Sequence, residues 1–223
     1  YVEFYTGTTV MKKQIGYAQA DYSNPKDAQF TGQVVSYAYD TEGVLTETIT
    51  FYGDTYLMES KVSVGGDAFG NEYYHFMNED FNDQGYGRMD KQVSVEADQD
   101  GAVGFIYEYH TGTDRIKKKL SYATADYSDV TNPVFSDLVI VYEFDINGTV
   151  IGKTTNYASG NLESMTYDTA DEFGNVYYHY LDEDFNNQGY GRVDVQVLAE
   201  QDADGGYAYG YEYHEGTDVV SKK

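Results

Sequence analysis

The chain has 223 residues, enough to bury a hydrophobic core, and it has no cysteine that could form a disulfide. Its 38 acidic and 14 basic residues give a formal net charge of −24, which excludes nucleic acid and anionic membrane surfaces as partners. No apolar run approaches the roughly 18 residues that cross a bilayer, which excludes insertion into a membrane as a helix. The 26 tyrosines and 11 phenylalanines supply side chains that a folded core can bury.

The strongest pattern in the sequence is an internal repeat. The segment Gly70–Val93 returns as the similar segment Gly174–Val197, and Tyr107–Lys119 returns as Tyr211–Lys223, each 104 positions later. Self-similarity at a fixed period is the signature of repeat proteins. We therefore divide the chain into three parts. They are a first repeat of about 105 residues (1–106), a second repeat (107–210) and the opening strand of a third (211–223).

A shorter period lies inside the long one, because pairs of aromatic or apolar residues two positions apart recur along the chain. The pairs begin at Val2, Tyr37, Tyr73, Tyr107, Tyr142, Tyr177 and Tyr211. Each long repeat therefore contains three modules of about 35 residues. Because the last segment resembles the first, we expect this chain to be one part of a longer array of tandem repeats. Its self-association would be head to tail, as a filament or as covalent continuation.

Apolar and polar residues alternate with period two where the modules open, as in Val35–Asp40, Val103–His110 and Ile140–Asp145. This alternation predicts half-buried β-strands. Glycine-containing turns such as Thr41–Gly43 and Ile146–Gly148 follow at once, which predicts antiparallel hairpins. The sequence therefore predicts an all-β fold of tandem antiparallel hairpin repeats. They would form an elongated, solenoid-like or spiralling sheet with more than half of the residues in strands.

Two modules share a short motif of tyrosine, aspartate and glycine. It reads YAYDTEGVL at Tyr37–Leu45 and YEFDINGTV at Tyr142–Val150. The motif resembles the YD repeat of the rearrangement-hot-spot and teneurin families. That resemblance covers these two modules only, and the repeat of those families is shorter. It implies β-hairpins joined into a long spiralling sheet, within a large surface or secreted protein.

The best candidate metal site is an alternating set of acidic and amide residues that occurs in both long repeats. The set is Asp182, Asp184 and Asn186 in the second repeat and Asn78, Asp80 and Asn82 in the first. Alternating oxygen ligands ahead of a glycine turn are typical of calcium loops, so calcium is the cofactor that this pattern offers. The alternative, which we favour, is a solvated turn that hydrogen-bonds to itself. Arg88 and Arg192 would then be its local counter-charges.

The histidines suggest no catalytic centre. They are His75, His110, His179 and His214, and all four follow tyrosines in strand-like runs. No cysteine, and no serine or aspartate at a motif spacing, accompanies them, so we predict packed or surface strand positions. A catalytic residue has no reason to recur with its whole surroundings, whereas a structural unit does. We therefore expect a protein that is not an enzyme.

The repeats favour a structural function. We predict a segment of a large extracellular or cell-surface protein that forms a stalk, shell or fibre. The alternative is a carbohydrate-binding or adhesive module, stiffened by calcium, in which rows such as Tyr73–Tyr74 and Tyr177–Tyr178 stack on sugar rings. Exposed tyrosine rows would favour that alternative, and burial of most tyrosines would favour the scaffold.

Overall fold

The computed structural model describes residues 1–24 and 28–223. Strands account for 51% of the chain, and no α-helix occurs in the described part. The prediction of an all-β, antiparallel fold is confirmed. No described helix has the length and apolar character needed to cross a membrane. The chain divides into two compact units, which we call unit 1 (residues 1–97 and 125–134) and unit 2 (residues 98–124 and 135–223).

Unit 1 carries seven strands, each hydrogen-bonded in antiparallel fashion to the next one along the chain. They are β1 (Val2–Phe4), β2 (Met11–Asp21), β3 (Gln29–Tyr39), β4 (Leu45–Phe51), β5 (Met58–Ser63), β6 (Asn71–Phe76) and β7 (Met89–Ser94). The segments that alternate in the sequence are therefore the paired strands. Consecutive strands of unit 1 are thus paired as in hairpins.

Unit 2 follows the same plan, with neighbouring strands consecutive in sequence from β8 to β15 and a separate pair at the end. The strands are β8 (Gly104–Tyr109), β9 (Ile116–Asp126), β10 (Val134–Phe144), β11 (Val150–Asn156), β12 (Leu162–Tyr167), β13 (Asn175–Tyr180), β14 (Val193–Leu198), β15 (Ala208–Gly210), β16 (Glu212–Tyr213) and β17 (Val220–Lys222). The tips of β9 and β10 fall within unit 1.

Aspartate builds the tight turns of both units. Asp40 Oδ1 accepts the backbone N–H groups of Glu42 and Val44, both at 2.9 Å, and Gly43 between them has φ = 85°. A carboxylate suits this place because it satisfies two turn amides at once, and glycine suits the next because its φ is positive. The same pair of bonds occurs at Asp67, Asp98, Asp145, Asp171 and Asp202.

The core is small, and tyrosines supply much of the packing around it. The buried hydrophobic side chains of the described residues are Tyr73, Val93, Ala102, Phe105 and Ile140. Five of the 26 tyrosines are exposed, so the other tyrosines are at least partly buried. A half-buried phenol can pack its ring and still reach a hydrogen-bond partner with its hydroxyl.

Tyrosine hydroxyls also connect neighbouring hairpins. In unit 1, Tyr5 donates from its hydroxyl to the backbone carbonyl of Tyr39 at 2.7 Å. In unit 2, Tyr157 donates in the same way to the carbonyl of Tyr180, also at 2.7 Å. These bonds join residues 34 and 23 positions apart. Each therefore fixes one hairpin to the next, beyond what the strand ladder alone provides.

Candidate functional site

The predicted metal residues of the first repeat lie in the loop between β6 and β7. Asp80 Oδ1 accepts the backbone N–H of Gly85 at 3.1 Å, and Asn78 Oδ1 accepts the hydroxyl of Thr55 at 2.6 Å. Asn82 lies in the left-handed region, with φ = 65°, inside a short 3₁₀ turn. Asparagine tolerates this conformation better than most residues. All three residues therefore stabilise the loop that contains them.

The second loop, between β13 and β14, repeats these contacts. Asp184 Oδ1 accepts the backbone N–H of Gly189 at 2.8 Å, and Asn186 has φ = 61°. Asp182 Oδ1 accepts the hydroxyl of Ser159 and, at 3.2 Å, the side-chain amide of Asn161. One carboxylate oxygen of each aspartate, Oδ1, is thus engaged by donors of the protein.

Metal ions are commonly held by clusters of histidine, cysteine, aspartate and glutamate side chains. In the described part of the chain, no group of three or more such side chains lies close enough to hold an ion. Amide and backbone oxygens could still complete a calcium shell. Calcium binding at the six predicted residues therefore stays a prediction.

Each loop is closed by an ion pair that involves a neighbouring glutamate. Arg88 donates from Nε to Glu79 Oε1 at 2.5 Å and from Nη2 to Oε2 at 3.0 Å. Arg192 and Glu183 form the same two-pronged pair at 2.6 and 2.9 Å. The hydrogen bond from the arginine holds the pKa of each glutamate below its usual range. Each ion pair therefore joins the two ends of its loop.

A histidine–aspartate pair in unit 1 was not anticipated from the sequence. His75 Nδ1 lies 2.6 Å from Asp90 Oδ1, and the histidine is 7% exposed. Tyr52 approaches the imidazole edge-on, with ring centroids 6.3 Å apart. Burial, followed by the charges of Glu59 and Asp90, raises the pKa of Tyr52 to about 12. The three side chains form one closely packed polar cluster.

The same cluster occurs in unit 2 with one further contact. His179 Nδ1 lies 2.6 Å from Asp194 Oδ1, and its Nε2 lies 3.2 Å from the hydroxyl of Tyr157. Both ring nitrogens therefore have a partner from the chain itself, which favours a structural role. The signal was present in the sequence: each histidine is followed by an aspartate 15 residues later, on the strand that pairs with its own.

The tyrosine rows proposed as sugar platforms are engaged within the fold. Tyr73 is fully buried. Tyr74 donates its hydroxyl to Asp67 Oδ2, and Tyr178 donates to Asp171 Oδ2, both at 2.6 Å. Burial, with the hydrogen bond to the carboxylate as the next cause, raises the pKa of both Tyr74 and Tyr178. These tyrosines therefore stabilise the aspartate turns through hydrogen bonds from their hydroxyl groups.

A pocket of about 480 Å³ lies entirely in unit 2, beside the loop of Asp182. We call it the unit-2 pocket; its lining residues include Asp137, Leu138, Val139, Asn156, Tyr157 and Gly160. Its volume lies within the range of small-molecule sites. Asn156 donates from Nδ2 to the carbonyl of Gly160 at 3.1 Å. Its Oδ1 is buried, and no donor of the described residues pairs with it.

Comparisons with known proteins assign no family to this chain. No protein-family model matches it, and no curated protein matches it. The residues of the chain and their contacts are therefore the evidence for its function.

Proposed function

We propose that this chain is a structural segment of a large extracellular or cell-surface tandem-repeat protein, in which it forms part of a stalk, shell or fibre. The observation that carries the proposal is the use of tyrosine hydroxyls to tie hairpins together, as in Tyr5 with Tyr39 and Tyr157 with Tyr180. A protein that exposed its tyrosines for ligands would leave these hydroxyls free. Instead, most tyrosines are at least partly buried.

Recurrence of contacts supports an array of repeats. The pairs His75–Asp90, Tyr74–Asp67 and Arg88–Glu79 all return 104 positions later with partner distances within 0.1 Å. Units that repeat both sequence and contacts can stack on one another along one axis. We accordingly propose an elongated, spiralling sheet of hairpins that associates head to tail with further copies and performs no catalysis.

The aspartate of the motif that resembles the YD repeat lies in a hairpin turn. In both copies of the motif the aspartate, Asp40 or Asp145, is the residue whose carboxylate accepts two turn amides. The glycine three positions later has a positive φ in each case. The motif therefore has a mechanical reason to recur in a protein built of hairpins.

Small-angle scattering tests the proposed shape. A compact chain of 223 residues has a radius of gyration of about 17 Å, and we expect a clearly larger value for the monomer. A value near that of a compact chain would contradict the proposal. Antibody labelling of intact source cells tests the location, and labelling that required permeabilisation would contradict it.

A further inference from the structure

The turn between β4 and β5 in unit 1 corresponds to the turn between β11 and β12 in unit 2, and the two turns differ. In unit 1, Tyr52 donates from its backbone N–H to the carbonyl of Leu57, and in unit 2, Tyr157 donates to that of Asn161. These closures place Tyr56 and Gly160 at the same turn position. Both residues have positive φ, 58° and 90°. A positive φ is unfavourable for a bulky residue, so packing of the Tyr56 ring must offset the conformational cost.

The Tyr56 ring is held against Gly32. A Cβ built on Gly32 would lie 2.6 Å from the Tyr56 ring, so only glycine leaves room for it. Gly32 has φ = 70°, and the corresponding residue 105 positions later, Asp137, has φ = 59°. Unit 1 thus places its own aromatic ring, 40% exposed, at this corner of the hairpin.

Unit 2 replaces each part of that corner with a smaller or more polar residue. Tyr56 becomes Gly160, and Gly32 becomes Asp137. The third replacement puts Asn156 at the end of β11, where unit 1 has Phe51 at the end of β4. The unit-2 pocket lies at these three replacements. Smaller residues of unit 2 therefore replace the two aromatic residues of unit 1, Tyr56 and Phe51. They line a pocket whose wall carries polar groups.

The chemistry of the wall defines what would fit. Asp137 contributes an exposed carboxylate to the wall, one oxygen of which accepts the hydroxyl of Thr124 at 3.1 Å. Asn156 Oδ1 is a buried acceptor beneath the wall, with no donor among the described residues. The lining also contains the aliphatic residues Leu138, Val139 and Ala158 and the aromatic residue Tyr157. The pocket therefore favours a ligand with hydroxyl donors on one edge and an apolar face on the other.

We propose that the unit-2 pocket binds a neutral pyranose sugar. A pyranose ring has an apolar C–H face and a rim of hydroxyl donors, and it occupies a space comparable to that of the phenol ring at this corner of unit 1. The net charge of −24 and Asp137 itself disfavour acidic sugars. This site goes beyond the structural function proposed above, which would stand without it.

Saturation-transfer NMR tests the site with glucose, galactose, mannose, xylose and N-acetylglucosamine as probes. We expect transfer from the wild-type protein to at least one of them. The variant Asp137→Gly/Gly160→Tyr copies the corresponding corner of unit 1 and should lose at least nine-tenths of that transfer. Asn156→Phe copies Phe51 and should have the same effect. Absence of transfer to all five sugars would overturn the proposal, as would transfer that persists in either folded variant.

A measurement on the wild-type protein decides the matter if the variants fail to fold. Addition of the responding sugar should shift the backbone amide signals of Ala158 and Gly160, which line the pocket. The signals of Gly53 and Tyr56, in the corresponding turn of unit 1, provide the matched control and should not move. Shifts at the control positions alone, or at neither pair, would overturn the proposal.

Discussion

Gly191 lies so close to Leu181 that a Cβ built on the glycine would be 2.1 Å from the leucine carbonyl oxygen. Gly87 stands in the same relation to Met77 in unit 1, again at 2.1 Å. Neither glycine has a positive φ in this fold. Close approach of the backbone, rather than an unusual conformation, therefore requires glycine at the end of the β6–β7 loop and of the β13–β14 loop.

Replacing Gly191 with alanine should lower the free energy of unfolding by about 2 kcal/mol, because the backbone must shift to admit a methyl group. Gly53→Ala is the matched control, since no atom lies within 4 Å of a Cβ built there and its φ is not positive. It should change stability by less than about 0.5 kcal/mol or raise it. Urea denaturation measures both, and equal losses would contradict the steric explanation.

Asp90→Asn should lower the free energy of unfolding by about 2 kcal/mol, because His75 is buried and would lose a charge-assisted hydrogen bond. Asp83→Asn removes the same charge from an exposed position and keeps a residue type that tolerates φ = 55°. The control should fall within about 0.5 kcal/mol of the wild type. If both variants denature at the same urea concentration, the pair has no structural role.

The strands and turns could be predicted from the sequence because both depend on neighbours along the chain. Alternation in Ile140–Asp145 and the glycine of Ile146–Gly148 are local signals, and the structure places a strand and a turn there. The His75–Asp90 pair depends on the register between β6 and β7, where His75 lies opposite Lys91. A single strand carries no such information, although the recurrence of the 15-residue spacing could have revealed the pair.

The unit-2 pocket could not be predicted from the sequence, and the reason is a different one. The exchange of Tyr56 for Gly160 is visible only after the two turns are aligned by their backbone hydrogen bonds, because the turn of unit 1 is one residue longer. Even then, the ring could have pointed to solvent. Its position against Gly32 is a property of packing.

High pH should unfold the protein through its tyrosines. Burial raises the pKa of Tyr52 and Tyr180 to about 12, from an ordinary value of 10.0. A raised pKa in the folded state gives a contribution to stability that is complete below pH 10 and is lost as the pH rises toward 12. Phenolate absorbance and circular dichroism, followed together, check this. Ionisation of every tyrosine near pH 10 with the fold intact would contradict it.

Any calcium held by Asp182, Asp184 and Asn186 should bind weakly, with a Kd no tighter than about 10⁻⁴ M, as in extracellular modules. The reason is that oxygens of both aspartates already accept hydrogen bonds from the chain. Calorimetry with calcium at up to ~10 mM tests this, and Asp184→Ala should remove the heat of one site. Asp204→Ala, in an aspartate turn, is the control. A micromolar Kd would contradict the expectation, and no heat would leave the self-bonded turn as the explanation.

The pairing of each strand with the next one along the chain also determines how the protein reaches its native state. Contacts between consecutive strands close short loops, which costs little chain entropy and favours rapid formation of each hairpin. The carboxylate of each Asp-x-x-Gly turn acts within five residues, so the bend can form before its flanking strands are complete. A chain that emerges from a ribosome or a secretion pore one end first can therefore fold hairpin by hairpin, without waiting for residues still inside.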